Sequence, residues 1–361
     1  MYISNLKLKN FRNYENAEIY FNKGVNVLTG DNAQGKTNIL ESIYYCSLGK
    51  SHRTNKDKEL ILWNKEFSYI NIHVEKERTD KKIEIKIFKE GKKGIKVNSI
   101  PISKISDLIG SFNCVIFSPE DLKIVKDSPS YRRKFLDIEL CKLSKRYYFN
   151  LVSYQKVLSE RNYFLRMSRK LDKDLISVYD EQLSKYGSYI ISERLNYIYD
   201  LNKFGSPIHY GISNKNENIE FDYIMSFKKD QNIETSVHNE LKANWEKDFE
   251  RKTTSIGPHK DDLLIRINGK DTRLYGSQGQ QRTSILTIKF ASLQIIKDRT
   301  GEYPVLLLDD VLSELDLNRQ KYVLKSIKNV QTIITVTGIF DLKEYIEDDI
   351  KIFTVKDGNI L

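Results

Sequence analysis

The chain has 361 residues, enough for two lobes each with its own core, and carries 59 Lys+Arg against 49 Asp+Glu, a net charge of +10. Nowhere does an uncharged apolar run approach the roughly 20 residues a bilayer span needs, and Lys7, Lys9, Arg12, Glu15 and Glu18 break up the first stretch, so neither a membrane segment nor an export signal is expected there. Cys46, Cys114 and Cys141 are odd in number and lack metal-type spacing, which argues against a disulfide scaffold and for a reducing, cytoplasmic setting. The basic balance suits work on DNA or RNA, but solubility alone accounts for it equally well.

Residues 2–9 alternate apolar and polar as a half-buried strand should, residues 10–14 form a loop, and residues 17–21 read as a second strand. Residues 25–29 are a short buried strand that enters Gly30-Asp31-Asn32-Ala33-Gln34-Gly35-Lys36-Thr37. A helix opens at Lys36-Thr37, with Ile39, Leu40, Ile43, Tyr44 and Leu48 at helical spacing. The spacing from Gly30 to Thr37 is that of a phosphate-binding loop. Its glycines let successive N–H groups turn inward on an anion, and the helix start adds a positive dipole end. Lys36 would reach the β/γ-phosphates of ATP and the Thr37 hydroxyl would ligate Mg²⁺.

The polar, mostly basic residues 50–58 read as a solvated connector, with a phosphate-contacting edge as the alternative. His52 has no partners in sequence that would make it a metal ligand. Residues 68–75 and 82–88 alternate again and lead to Ile95-Lys96-Val97, an antiparallel meander with one packed face and one wet face. Val115-Ile116-Phe117 is a further buried strand ending at Ser118-Pro119-Glu120-Asp121.

From Ser130 the apolar residues recur every three or four positions, in two runs joined by a polar turn near 168–173. This predicts two long amphipathic helices in an antiparallel hairpin, the second ended by Gly205-Ser206-Pro207. The narrow, tyrosine-rich stripe favours a projecting arm; a helical subdomain packed on the body is the alternative. Lys142, Lys145, Arg146 and Lys156 on it suit phosphates or simply a solvated face. Residues 219–227 read as a strand and 233–252 as a charged helix. A turn-rich loop, Ser255 to Asp262, precedes a hairpin of residues 263–267 and 271–274 around Asn268-Gly269.

Val305-Leu306-Leu307-Leu308-Asp309-Asp310 is a buried strand ending in two carboxylates, where ligands of open parallel sheets sit. Asp309 would hold Mg²⁺ through water, and Asp310 is the candidate to orient and deprotonate an attacking water, or else a strand-end turn residue. Upstream, Tyr275-Gly276-Ser277-Gln278-Gly279-Gln280-Gln281-Arg282 opens a helix and forms a second anion nest. One phosphate loop already serves one ATP, so the economical use of the second nest is head-to-tail, each copy closing on its partner's γ-phosphate. Residues 331–337 form a buried strand that delivers threonine hydroxyls to the same edge.

This order of motifs resembles the ABC-type ATPases of the SMC branch, and in detail the RecF family of DNA repair proteins. The resemblance is carried by Asn10-Phe11-Arg12-Asn13-Tyr14, the Gly30 to Thr37 loop, Phe117 to Leu122 with Pro129, and Arg132 to Asp137. Gly257-Pro258-His259-Lys260-Asp261-Asp262-Leu263, Ser277 to Arg282 and Leu308 to Asp316 complete it. It implies an α/β fold, a two-lobed ABC-type ATPase head with a mixed sheet and a helical arm. On that pattern residues 1–130 are the first lobe, 131–205 the helical hairpin, 206–256 a connecting segment and 257–361 the second lobe. It further implies a weak, DNA-stimulated ATPase acting as a switch in replication, repair and the SOS response to DNA damage. ATP would drive homodimerisation on gapped, duplex or single-stranded DNA, and RecO and RecR would act with the protein in loading RecA. The resemblance places Arg12 and Tyr14 near the adenosine, Ser277 and Gly279, with Gln278 and Gln280 beside them, on a partner's γ-phosphate, and residues 313–316 across the dimer seam.

Three departures matter. Ser118-Pro119-Glu120 stands where related ATPases present a lobe-coupling glutamine. Asp310 stands where many have glutamate, a shorter reach that suits a slow timer. Lys260 stands where the family usually shows arginine, which loses a bidentate fork. Two other readings share the ATP chemistry: a transporter's nucleotide-binding subunit and an ATPase coupled to a defence nuclease. The long helical insertion and the short Asp310 argue against the first, and the lack of room after Glu302 for a nuclease domain argues against the second.

Overall fold

A computed structural model of the chain describes residues 1–228, 230, 232–337 and 350–360. It divides into two compact units, residues 1–121 with 286–361, and residues 122–285. The first unit opens with β1 (Tyr2–Phe11), β2 (Tyr14–Tyr20), β3 (Val25–Thr29), α1 (Lys36–Leu48), β4 (Phe67–Glu75), β5 (Lys81–Phe88), β6 (Lys93–Val97), β7 (Ile100–Ile102) and β8 (Cys114–Phe117). The second holds α2 (Leu122–Lys126), α3 (Pro129–Leu143), α4 (Lys145–Met167), α5 (Lys173–Ile212), β9 (Ile219–Ile224), α6 (Ile233–Ala243), α7 (Trp245–Arg251), β10 (Asp262–Ile267), β11 (Lys270–Asp271) and α8 (Thr272–Tyr275). Helix α9 (Gln278–Thr300) begins in the second unit and continues into the first, followed there by β12 (Val305–Asp309), α10 (Leu317–Ser326), β13 (Thr332–Val336), β14 (Ile350–Lys356) and β15 (Asn359–Ile360). Residues 338–349 and Leu361 lie outside the described residues.

Two sheets build the first unit. One is an antiparallel meander in the order β2-β1-β4-β5-β6-β7. Its alternation is the reason for its shape: Ile83, Ile85 and Ile87 of β5 are buried, while Lys82, Glu84 and Lys86 point the other way. The second sheet runs β15-β14-β3-β13-β12-β8, with β14, β3, β13, β12 and β8 parallel and β15 an antiparallel edge. Strands β8, β12 and β13 are buried along their whole length, as strands covered on both faces must be, which is why they read as unbroken apolar runs. Ile39, Leu40 and Ile43 of α1 join inward residues of both sheets in one core.

The second unit departs from the expected elements in four places. The first helical run breaks at Ser144, whose extended backbone separates α3 from α4 and whose hydroxyl accepts the Tyr147 N–H at 3.1 Å, an N-cap in mid-run. The second run does not stop at Gly205-Ser206-Pro207 but continues to Ile212. Pro207 and Lys203 are exposed, so the carbonyl that loses its N–H partner can be solvated, while Gly205, His209 and Ile212 are buried on the opposite side. The expected helix over 233–252 splits at Asn244 into α6 and α7. Finally, the second strand of the expected hairpin is only Lys270–Asp271 and gives way at Thr272 to a helical turn, which Asp271 caps, its carboxylate accepting the Arg273 N–H at 2.8 Å.

The helical hairpin is not held by its tyrosine stripe alone, because α5 also packs on α6 and β9. Inside, fully buried Arg161 joins Asp180 (2.7 Å) and Asp248 (2.9 Å), and Arg194 joins Asp137 at 2.7 Å and the Pro258 carbonyl at 2.7 Å. The Gly257 to Asp262 loop is built into this network. Tyr223 donates to Asp261 at 2.7 Å, Arg132 forks onto Asp262 at 2.7 and 2.9 Å, and the Tyr154 hydroxyl meets His259 Nδ1 at 2.7 Å. A buried ion pair adds little net stability, but removing one partner is costly because it leaves the other charge unpaired.

Candidate nucleotide-binding site

The parallel sheet sets the site. Strand β3 lies between β14 and β13, and β12 lies next to β13, so the loops leaving β3, β13 and β12 share one edge. In this register Thr335 is opposite Asp309 on one side and Leu28 on the other, and Val336 is opposite Thr29. The loop after β3 turns through Gly30 (φ 146) and Gly35 (φ 116), backbone that L side chains rarely adopt. A Cβ on Gly30 would lie 2.2 Å from the Val355 carbonyl oxygen. One on Gly35 would meet Asn13 at 2.6 Å and the Tyr14 hydroxyl at 2.8 Å. Ala33 also takes a positive φ of 64.

Asp31, Asn32 and Ala33 form the exposed crest of the loop. Gln34 anchors it: its carbonyl accepts from Asn13 Nδ2 at 2.9 Å and its side chain accepts the Asp357 N–H at 2.5 Å. Lys36 starts α1 and lays its ammonium on the Gly30 and Asp31 carbonyls, at 2.8 Å from the latter. Burial lowers the Lys36 pKa, and Asp310, Asp31 and Asp309 pull it back only partly. Thr37 donates its hydroxyl to Asp309 Oδ1 at 2.8 Å, although 272 positions separate them, and Thr335 donates to the same oxygen at 3.0 Å. Burial raises the Asp309 pKa against these two hydrogen bonds. Asp310 follows in the left-handed region (φ 57), its N–H given to Thr335 Oγ1 at 2.8 Å, and its Oδ1 is buried with no hydrogen-bond partner among the described residues.

The structure therefore brings the loop, Lys36, Thr37, Asp309 and Asp310 together. The oxygens of Thr37 and Asp309 are hard donors at the phosphate loop, and among the described residues no group of three or more His, Cys, Asp or Glu could cage a metal. That donor set suits Mg²⁺, which keeps waters and takes one or two protein oxygens plus substrate phosphates.

Arg12 and Tyr14, expected near the adenosine, are both engaged within the protein. Arg12 forks onto Glu41 (Nε–Oε2 2.9 Å, Nη2–Oε1 2.7 Å) and also donates to the Glu59 carbonyl at 2.8 Å. Tyr14 is fully buried against Gly35 as a support of the loop, and burial raises its hydroxyl pKa. Sequence reasoning missed Glu41, a fully buried carboxylate on α1 that takes Arg12, Ser51 and Arg53. Burial pushes its pKa up, but these donors outweigh it and hold the carboxyl below its ordinary range. A lone charge within the apolar face of α1 was the available signal.

Ser277, Gln278, Gly279 and Gln280 lie in the second unit at the start of α9. Ser277 and Gln280 form a capping box, the Ser277 N–H on Gln280 Oε1 at 2.9 Å and the Gln280 N–H on Ser277 Oγ at 3.2 Å. The hydroxyl proton of Ser277 stays available to an anion, and Gln280 Nε2 is tied to Glu217 at 2.8 Å. In the loop after β8, Ser118 gives its N–H to Asp121 at 2.8 Å.

The model of the RecF/RecN/SMC N terminal domain family matches residues 2–359. The DNA replication and repair protein RecF of Clostridium novyi (strain NT) is 64% identical over 360 residues, covering 100% of this chain and 99% of that protein. Its counterpart in Clostridium tetani is 60% identical over 365 residues, with 100% of both covered. Among solved structures, the recombination mediator protein RecF with ATP, of the RecFOR pathway, superposes with a TM-score of 0.92 at 40% identity, covering 100% of this chain and 97% of that one. An Smc head domain from Pyrococcus furiosus, at 17% identity and a TM-score of 0.59 over 99% and 95% of the two chains, shares the fold.

Proposed function

The chain belongs to the RecF family within the RecF/RecN/SMC group, and on that premise we propose that it is an ATP-dependent DNA-binding switch of recombinational repair. The observation that carries this reading is the Thr37–Asp309–Thr335 cluster, which joins the phosphate loop to the ends of β12 and β13. Lys36 would grip the terminal phosphates, and the loop N–H groups from Gly30 to Thr37 would cradle them. Thr37 and Asp309 would hold Mg²⁺, which neutralises charge on the β- and γ-phosphates when bound. Asp310 would orient the attacking water and accept its proton, and its unpaired buried oxygen fits that task. Ser277, Gln278, Gly279 and Gln280 of a second copy would cap the γ-phosphate, so that two copies close around each nucleotide and slow, DNA-stimulated hydrolysis releases them.

Acting in the cytoplasm, the dimer would form at gaps, duplex regions or single strands of DNA and work with RecR and RecO in loading RecA. Neither alternative has support of this kind. Relatives named for DNA replication and repair are matched end to end. The test is to size the protein with and without ATP on gapped, duplex and single-stranded DNA. Mass should double with ATP, and Lys36→Ala should remain monomeric. A nucleotide-saturated protein that stays monomeric would sink the reading.

A further inference from the structure

We propose that the solvent face of the antiparallel meander is a platform for single-stranded DNA; this rests on the DNA-binding reading above and adds to it a surface and a strand type. Directly paired residues in an antiparallel sheet share a face, with neighbouring strands about 4.8 Å apart. Three successive cross-strand rows point away from the core. The first is Asn16, Lys9, Tyr69, Lys86 and Gly94; the second is Glu18, Lys7, Asn71, Glu84 and Lys96; the third is Tyr20, Asn5, His73 and Lys82. They carry five lysines against two glutamates, and both glutamates are already engaged. Lys7 pairs with Glu18 at 2.9 Å, and Glu84 takes Lys82 at 3.4 Å and the Tyr69 hydroxyl at 2.6 Å.

Lys9, Lys86 and Lys96 are left with no ion pair among the described residues. Two of them flank an aromatic ring in the same row, Lys9 and Lys86 on either side of Tyr69. The hydroxyl of Tyr69 is tethered to Glu84 on the adjoining strand, which ties the ring down to the sheet. Lys86 also stands 4.2 Å from the centroid of Phe67 and 5.0 Å from that of Phe88, a directly paired couple one row further along. Cations alternating with aromatic rings on an open sheet match a strand whose bases are unstacked, since stacking takes any base and lysines follow the phosphates. A duplex hides its base faces and would use only the charges.

The test is fluorescence anisotropy, with ATP present, of a labelled oligo-dT and a labelled blunt duplex. Lys9→Ala/Lys86→Ala should weaken oligo-dT binding and flatten its log–log salt slope by about 1.4, the share of two phosphate contacts on a single strand. Tyr69→Ala should weaken oligo-dT binding roughly tenfold, whereas Tyr69→Phe, which keeps the ring, should stay within about twofold of the parent. Duplex affinity should be unchanged in both Tyr69 variants, and ATP-driven dimerisation in all three. Unchanged oligo-dT binding, or equal losses of Tyr69→Ala on oligo-dT and duplex, overturns the platform. An unsubstituted protein that binds neither DNA or stays monomeric with ATP would instead remove the reading beneath it.

Discussion

Lys289 on α9 meets Asp121 in the loop after β8 at 2.7 Å, and both side chains are almost wholly withdrawn from solvent (7% and 15% exposed). Asp121 also holds the Ser118 N–H, so one carboxylate ties α9 to the segment after β8. Lys289→Ala should lower stability by about 3–5 kcal/mol, because it strands a charge away from water. Lys289→Met with Asp121→Leu should recover only part of this, since the Ser118 N–H then loses its acceptor, at about 1–3 kcal/mol. Urea unfolding midpoints of the three proteins decide the order.

Gly30→Ala should weaken binding of a fluorescent ATP analogue at least tenfold. Its Cβ would collide with backbone of β14 at 2.2 Å, and a backbone oxygen cannot swing aside as a side-chain tip can. Gly94→Ala, where nothing lies within 4 Å of the added atom, is the matched control and should bind as the parent does.

Asp310→Asn should cut phosphate release by about 10²–10⁴, the usual contribution of a general base, while ATP-driven dimerisation persists. Single-turnover hydrolysis and sizing on the same sample separate the two effects. Equal loss of both would assign Asp310 to binding instead.

The part of the stability that His52 and His259 supply should fall as pH drops from 6.5 to 4. Burial holds the His52 and His259 pKa values at about 4, below the ordinary 6.5, so within that window the unfolded chain binds more protons than the folded one. Each ring should contribute up to about 1.4 kcal/mol per pH unit. Glu41 acts lower: its depressed pKa gives stability that is present above the ordinary carboxylate value and is lost only as pH falls through the folded one. His259→Asn should reduce the slope of thermal midpoint against pH between 4 and 6.5, and an unchanged slope would show that His259 does not titrate there.

Local pattern sufficed for the elements whose environment is uniform. The alternation of Ile83, Ile85 and Ile87, the unbroken apolar run of β12 and the glycine spacing of the phosphate loop each follow from one periodicity or one backbone requirement. Thr37 and Asp309 were legible as partners because strand-end chemistry is tied to the loop that precedes α1. Where helices begin and end was less legible. Whether the helix crosses Pro207 depends on which side of α5 is buried, and whether it breaks at Ser144 depends on a competing hydroxyl cap.

What the amino-acid order determined alone, then, was the chemistry of the phosphate loop and the alternation of the sheets, because both are written within a few neighbouring residues. The tertiary structure decided the partners of buried charge: Arg12 with Glu41, Arg161 with Asp180 and Asp248, Lys289 with Asp121. A charged side chain looks solvated in any local window. Only the packed chain shows which ones have left water, and there the cost of an unpaired charge demands a partner for each.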